Sequence, residues 1–446
     1  MKIKTYHDAE AYLESFIPKT SKWGEPSFAH ARTKHFMQLL GDPQNKLQVI
    51  HIAGTSGKGS TAYITSTLLH SHGLTVGMGI SPHVHDILER IQINMESISE
   101  DLFCKYLDEI IPFVEKMKAS KYGQPTYFEI IIGLSYYLFD KEEVDVVVME
   151  TGLGGQYCAT NTVTSSDKIA VITRIGFDHM EFLGNTLTSI AQEKVKIIQP
   201  QNTVITFKQD PEVMTQIKNE ASKKNAKLIS FDPQENIKNI RLTEKKTTFD
   251  FEFDNKIEKN IEISLLGEYQ AENTALALLT FKTFMNNHMK FIYMSKVRKS
   301  LCYIHIPGRM EIRKYKGKQL IIDGAHNGQK MEAFIKSLVK IYPNQKFIFL
   351  ISFKKGKDYK SILQHITCCA QTIIITSFEN TNQGMGQLYS EDPKKIGAIL
   401  EKLSVKNYQV IPDLTAALAG AMDHKENIVI TGSLYLIGEI YNLLAK

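Results

Sequence analysis

The sequence predicts an α/β fold in two domains built on mostly parallel sheets, and three observations carry that reading. Short β-branched runs alternate with helix-like segments along the chain, which is the pattern of crossover units. A glycine-rich turn within HIAGTSGKGSTAYI (51–64) joins an apolar run to a helical one. At 446 residues the chain is longer than one core usually serves. The net charge of +5 is too small and too scattered to indicate nucleic acid. Cys104, Cys158, Cys302, Cys368 and Cys369 form no C-x-x-C pair and no even framework, so a reducing compartment is expected. The stretch MKIKTYHDAEAYLES lacks an apolar signal core, and no segment approaches the ~20 apolar residues of a membrane span. A cytoplasmic monomer with neither nucleic-acid nor membrane partners is the expectation.

Residues 46–54 (KLQVIHIAG) read as a strand, 58–73 (KGSTAYITSTLLHSHG) as a helix ending on a glycine, and 75–81 (TVGMGIS) as the next strand. Helical spacing covers about 100–118 and 126–140, and strands return at 144–150 (VDVVVME) and 168–176 (KIAVITRIG). A helix is expected over 187–197. Between 239 and 265 polar and apolar residues alternate, as in exposed antiparallel strands decorating the first domain. Helices follow at 268–286 and 292–301. The segment CYIHIPGRM (302–310) then breaks the pattern with a proline and a glycine, which places the boundary close to Pro307 and gives domains 1–304 and 305–446. The second domain reads as strands 319–325, 345–352, 371–377 and 427–433, each followed by a helix.

The turn after the first strand can cradle phosphates, because a helix N-terminus offers unpaired N–H groups. Gly54, Gly57 and Gly59 let the backbone approach a ligand, Lys58 meets the outer phosphate oxygens, and Ser60 or Thr61 can reach a divalent ion. The spacing differs from the common G-x-x-x-x-G-K-[ST], so this is a variant loop; a tight turn with a solvated lysine is the plainer alternative. A bound triphosphate needs a divalent ion, and Ser81, Glu150 and His179 all follow separate strands, where open α/β sheets put their sites. Ser81 before Pro82 also suits a turn, and His179 beside Asp178 also suits a surface pair. In IIDGAHN (321–327), Asp323 and His326 can face a nucleotide or substrate across a cleft, although an Asp-Gly turn at a helix start accounts for them as well.

Taken in order, HIAGTSGKGS, SPHVHDILERIQIN (81–94), PTYFE (125–129), METGLGG with ATN, ITRIGFDHMEFLGNTLTSIAQEK (172–194), GEYQAENTALAL (267–278), PGRMEI (307–312), IIDGAHN, GKDY (356–359) and ITGSLYLIGEI (430–440) resemble the folylpolyglutamate synthase and dihydrofolate synthase family of Mur-type ATP-dependent amide ligases. The resemblance implies an N-terminal P-loop-type ATPase domain and a smaller, Rossmann-like C-terminal domain. It implies ATP and Mg²⁺ as cofactors, with a folate-type acid and L-glutamate joined through an acyl phosphate. By position, Ser56, Gly57, Lys58, Gly59 and Ser60 match the phosphate loop, and Asn273, Arg309 and Asp323 match ATP contacts. Ser81, Glu150 and His179 match magnesium ligands, and Lys194 takes the place of a lysine carbamylated in the family. Lys58, His179 and Lys194 are the implied catalytic set; Thr126, Tyr157, Cys158, Ala159 and His326 are the implied substrate contacts.

The departures bear on the substrate. Where the family has an arginine, an apolar residue and an aspartate, this chain has Gln156, Tyr157 and Cys158. Exchanging a carboxylate for a thiol removes a strong acceptor for pterin N–H groups, about 1–3 kcal/mol if buried. E-K-V-K-I replaces E-K-A-G-I, and Gly328 stands where a proline is usual. The stretch 378–393 lacks the family's wording, so no glutamate contact is assigned to it. The expected activity is therefore extension of a reduced folate by glutamate, with ligation of a non-folate acid, or nucleotide binding without ligation, as alternatives.

Overall fold

The computed structural model describes residues 2–17, 25–254, 256–380 and 388–445. Eight strands form the first sheet: β1 (Val49–Ala53), β2 (Val76–Gly79), β3 (Ile91–Ile93), β4 (Glu96–Ser97), β5 (Val146–Glu150), β6 (Ile169–Ile172), β7 (Thr203–Phe207) and β8 (Lys227–Phe231). Their order is β4-β3-β2-β5-β1-β6-β7-β8. Neighbours from β2 to β8 run parallel, and β3 and β4 add an antiparallel edge. Helices cover both faces, so β1 and β5 are buried along their whole length. The period of two divides their side chains between layers. Ile50, Ile52, Val146 and Val148 join the helices Lys58–Ser71 and Glu268–Asn287 on one face. Val49, Val147 and Met149 join the helices Glu100–Lys118 and Tyr127–Lys141 on the other. The chain passes from β1 outward to β2 and β5, then crosses back over β1 to β6. This reversal opens a crevice at the carboxyl ends of β1, β5 and β6.

The second sheet is antiparallel: β9 (Ile237–Leu242), β10 (Thr247–Phe253) and β11 (Lys256–Ile263). The expectation of exposed strands holds for one face only. Phe249, Phe251, Ile261 and Ile263 are buried in the same core as β1, and the Phe251 ring meets Phe231 edge-on at 5.2 Å. Alternation marks a half-buried strand whether its apolar face meets a helix or solvent, which is why the sequence reads as decoration.

The third sheet contains β12 (Glu311–Tyr315), β13 (Lys318–Asp323), β14 (Phe347–Ile351) and β15 (Ala370–Ile375); a short ribbon of β16 (Glu379–Asn380) and β17 (Leu388–Tyr389) follows, then β18 (Tyr408–Val410) and β19 (Ile428–Thr431). Its order is β12-β13-β19-β14-β15-β18, parallel except for β12. Helices Gly328–Ile341, Tyr359–Ile366 and Pro393–Lys402 pack on one face, and Leu414–Met422 and Leu434–Leu444 on the other. The sequence reading missed β3, β4, β7, β8, β12, β16, β17 and β18. It also expected one helix between β15 and β19 where Pro393–Lys402 and Leu414–Met422 both occur. β18, with no fully buried residue, gives too weak an apolar signal to be read. Among the described residues no helix is long and apolar enough to cross a membrane.

If the second sheet belongs to the first domain's core, Phe249→Ala destabilises the protein by about 3–5 kcal/mol, whereas Ile257→Ala on the exposed face changes stability by less than about 0.5 kcal/mol. Urea unfolding of the two variants measures the difference.

Candidate active site

The turn after β1 is fixed by its neighbours before any ligand is considered. Thr55 and Ser56 donate their backbone N–H groups to the Arg174 carbonyl at 2.8 and 3.1 Å. The Thr55 hydroxyl donates to the Gly176 carbonyl at 3.0 Å and accepts from its N–H at 3.1 Å. Gly57 then opens the helix Lys58–Ser71 at φ 89°, with no side chain capping its N-terminus. A Cβ at Gly57 would lie 2.3 Å from the Asn273 side-chain oxygen, so residue 57 has to be glycine while Asn273 lies against the loop. Ser60 is buried and accepts from the Gln270 amide at 3.4 Å. The uncapped N–H groups and the close-lying backbone suit a phosphate.

Three sequence-predicted residues converge beside this loop. Glu150, at the carboxyl end of β5, has one carboxylate oxygen 3.7 Å from Lys58 Nζ and the other 3.3 Å from the Ser81 N–H. Lys194 ends the helix Leu187–Lys194; its side chain reaches back toward the helix N-terminus and donates to the Gly54 carbonyl at 3.0 Å. Burial, then the Lys58 charge, pulls the Lys194 amine down to about 7. His179 sits at φ 51° on the turn after β6, and burial lowers it to about 4 although Asp178 pulls the other way. Its imidazole makes no hydrogen bond with the described residues. No group of three or more His, Cys, Asp or Glu side chains forms a metal cluster among those residues. The oxygens of Glu150 and Ser81 are nonetheless the hard donors that Mg²⁺ takes, and they stand next to the phosphate loop.

The second domain completes the crevice. Asp323, at the end of β13, accepts from the N–H groups of Met310 and Ala325 at 2.8 Å each and from Tyr269 at 3.4 Å. Burial raises it to about 6 against the opposing pull of Arg309. Asn273 accompanies Gln270 at 3.0 Å on the helix Glu268–Asn287. The Ser56 hydroxyl donates to Gln329 of the second domain at 3.1 Å.

Asp178, read from the sequence as half of a surface pair, is instead buried between the domains. It accepts from Lys357 at 2.9 Å and from Asn327 at 3.1 Å, and lies 3.9 Å from both Lys330 and His326. Burial alone would raise this carboxyl; Lys330, His326 and Lys357 overrule it and hold it well below the usual range. The His326 ring is polarised in one sense, its Nδ1 donating to the Gly324 carbonyl at 2.8 Å and its Nε2 accepting from Lys330 at 3.0 Å. Burial, then Lys330, keeps this imidazole neutral. Asp178, Asn327, Gln329 and Lys330 escaped the sequence reading because nothing local announces a partner ~150 residues away.

The remaining candidates are Thr126, Tyr157, Cys158 and Ala159. Thr126 caps the helix Tyr127–Lys141 in a capping box with Glu129, which also binds Arg32 at 2.8 Å. Cys158 and Ala159 are buried, and the Cys158 sulfur accepts from Thr160 at 3.2 Å. Tyr157 is exposed, its ring 6.3 Å from that of His30. The glycines ahead of them allow a close approach: a Cβ at Gly155 would lie 2.5 Å from the Glu193 carbonyl. The part of 378–393 that covers 381–387 lies outside the described residues.

Comparison with known proteins agrees along the whole chain. Residues 52–281 match the Mur ligase middle domain, and residues 309–443 match the dihydrofolate synthetase C-terminal domain. The chain is 31% identical to a dihydrofolate synthase/folylpolyglutamate synthase of Bacillus subtilis over 98% of both sequences. It is 30% identical to a dihydrofolate synthetase of Saccharomyces cerevisiae over 93% of this chain and 97% of the relative. Among solved structures, a Mycobacterium tuberculosis folylpolyglutamate synthase complexed with ADP superimposes with TM-score 0.89 at 25% identity, covering 99% of this chain and 98% of that one. An AMPPCP–folate complex of folylpolyglutamate synthase gives 0.84 at 26% identity, covering 99% and 100%.

Because Asp178 titrates below the free carboxyl, its stabilising contribution is complete above the unfolded-state pKa of about 3.9 and is lost as pH falls through the lower folded value. Asp178→Asn leaves Lys357 and Lys330 facing each other without a counter-charge and costs about 3 kcal/mol near neutral pH. Thermal melts from pH 3 to 7 should show a lowered midpoint in the variant and a shallower fall on the acid side than in the parent.

Proposed function

Since this chain belongs to the folylpolyglutamate synthase and dihydrofolate synthase family of Mur ligases, we propose that it adds L-glutamate to a reduced folate in an ATP-dependent reaction. A folate carboxylate oxygen attacks the γ-phosphorus of ATP and ADP leaves. The glutamate amine then attacks the acyl carbon, losing a proton as phosphate departs, and an amide remains. Such chemistry needs anionic charge to be offset at the transferring phosphoryl group and water to be kept from the acyl phosphate. The observation that carries the reading is the meeting of two domains over one loop: Ser56 with Gln329 at 3.1 Å, and Asp178 with Lys357 at 2.9 Å. Lysines from both sides then face one crevice.

In this reading Ser56, Gly57, Lys58, Gly59 and Ser60 receive the phosphates, and Asn273, Arg309 and Asp323 receive the rest of the nucleotide. Ser81, Glu150, His179 and Lys194 as a carbamate hold Mg²⁺, which when bound supplies charge neutralisation at the phosphates. The Lys194 amine, lowered to about 7, is substantially neutral at physiological pH, the form that takes up carbon dioxide. Left as an ammonium it would repel the metal. Thr126, Tyr157, Cys158, Ala159 and His326 face the acid substrate. Cys158 offers a thiol already engaged by Thr160 where pterin recognition calls for a carboxylate, which favours chain extension over ligation to dihydropteroate. The protein acts as a cytoplasmic monomer.

An ADP-release screen over dihydropteroate, dihydrofolate, tetrahydrofolate and unrelated acids, each with and without glutamate, tests the proposal. Release that requires both tetrahydrofolate and glutamate is expected; no release with any folate would falsify it. In the same assay Lys194→Ala is expected to lower kcat about 100-fold or more, with partial recovery on adding a small carboxylate. Unchanged turnover in that variant would remove Lys194 from the metal site.

A further inference from the structure

Of the stretch SPHVHDILER (81–90), which follows β2, the reading above uses Ser81 alone. The other residues tie the stretch into one stiff loop. Glu89 turns back on it, and its carboxylate accepts from the N–H groups of Val84, His85 and Asp86 at 2.7, 2.8 and 3.1 Å. Asp86 in turn accepts from the Leu88 N–H at 2.8 Å and from the Tyr6 hydroxyl at 2.6 Å. Arg90 donates to the buried His83 ring at 2.8 Å, while its carbonyl accepts from the Ile80 N–H at 3.2 Å and closes the loop at its base. Backbone groups held in a satisfied network of this kind move together or not at all. At one end of the unit the Ser81 N–H donates to Glu150 at 3.3 Å.

The middle of the loop rests on the second domain. Val84 packs against the core that contains Ile322, Leu434 and Ile437, and among the described residues it is the one member of that cluster from the first domain. Its carbonyl meets Gly438 inside the helix Leu434–Leu444, where a Cβ would lie 2.3 Å from the Val84 oxygen. Glycine is a poor choice for a helix interior, and the backbone of Gly438 is not in the left-handed region that would call for it. The close approach of the loop is what excludes a side chain there. Main chain therefore lies on main chain, with no flexible group between them to absorb a displacement. This contact is separate from Ser56 with Gln329 and from Asp178 with Lys357, which belong to the loops after β1 and β6.

We infer that Val84 and Gly438 are positioning residues for the metal site: by seating the helix Leu434–Leu444 on the Val84 carbonyl, the second domain fixes where the stiff loop holds Ser81 beside Glu150. The inference rests on the reading of Ser81 and Glu150 as metal donors proposed above. The phosphate loop belongs wholly to the first domain, so its shape does not depend on this contact. Ser81 takes its place only while the two domains are seated together. Binding of the divalent ion thereby becomes sensitive to the position of the second domain, and metal-free binding of the nucleotide phosphates does not.

The test uses the full-length protein with Gly438→Ala, and with Val84→Ala as a second variant that removes packing without adding an atom. Gly420→Ala is the control, since a Cβ there meets only Ile411 at 3.5 Å. Hydrogen exchange on the ligand-free protein is expected to be about tenfold faster at the amides of 81–90 in both variants, with the helix Lys58–Ser71 and the third sheet unchanged. Binding of Mn²⁺ in the presence of ADP, followed by electron paramagnetic resonance of the free ion, is expected to weaken about tenfold in both and to stay unchanged in the control. Calorimetry with ADP and a chelator is expected to give the same affinity in all four proteins. Unaltered exchange at 81–90 in Gly438→Ala overturns the inference, as does acceleration spread evenly over the second domain, which marks a general loss of stability. Unchanged Mn²⁺ affinity in a variant whose loop exchanges faster overturns it as well. A parent that binds no Mn²⁺ with ADP overturns the metal reading and this inference together, whereas a parent that binds it with unaffected variants overturns this inference alone.

Discussion

The arrangement of the whole molecule depends on one buried carboxylate. Asp178 leaves the end of β6 in the first domain and meets Lys357, Lys330, His326 and Asn327 of the second. A charge in that position is tolerable only because cations surround it, and those cations are tolerable only because of the charge. Neither domain alone satisfies its half. The mutual requirement sets the second domain's orientation over the phosphate loop, and the Ser56–Gln329 hydrogen bond adds a neutral contact beside it. It also settles the state of His326, whose Nε2 faces Lys330 because Lys330 is itself held near Asp178.

Within the first domain the topology does the comparable work. The reversal of strand order around β1 brings the ends of β1, β5 and β6 to one crevice, so Gly54, Glu150 and Arg174 become neighbours although ~120 residues separate the outer two. Each contributes through backbone or a short side chain. Glycine at 57 and 155 is a steric requirement, set by the Asn273 side chain and the Glu193 carbonyl. Lys194 enters from a helix whose side chains lean toward its N-terminus, and the Gly54 carbonyl receives it.

Much of this was legible in the sequence. The strand and helix alternation, the glycine turn and the strand-end acids are local patterns, and β1, β5, β6 and the helices around them lie close to their expected bounds. Ser81 and Glu150 could be placed beside the phosphate loop because position at a strand end is itself local information. The second sheet was read as antiparallel strands somewhere within 239–265 and with too little burial, because a sequence shows that a face is apolar without showing what it packs against. Asp178, Gln329 and Lys330 were not legible. Their chemistry arises from pairing across domains, and each alone has the composition of a solvated surface. The contact of Val84 with Gly438 escaped for the same reason, since its two sides come from different domains.

The helix Glu268–Asn287 joins these levels. Leu266, just before it, lies in the second domain's core, and the Glu268 N–H donates to Ser337 at 3.2 Å. From Ala271 to Met285 its apolar side packs into the first domain's core, against the phosphate-loop helix and the second sheet. At 1.5 Å per residue this is a stiff rod of about 30 Å, anchored in one body and tipped into the other. A rotation between the bodies therefore has to be absorbed at its tip, where Gly267 sits at φ 115°. Asn273 and Gln270 lie within two turns of that tip against the phosphate loop, on the anchored side of the joint, so they keep their place over the loop whatever inclination the outer domain takes.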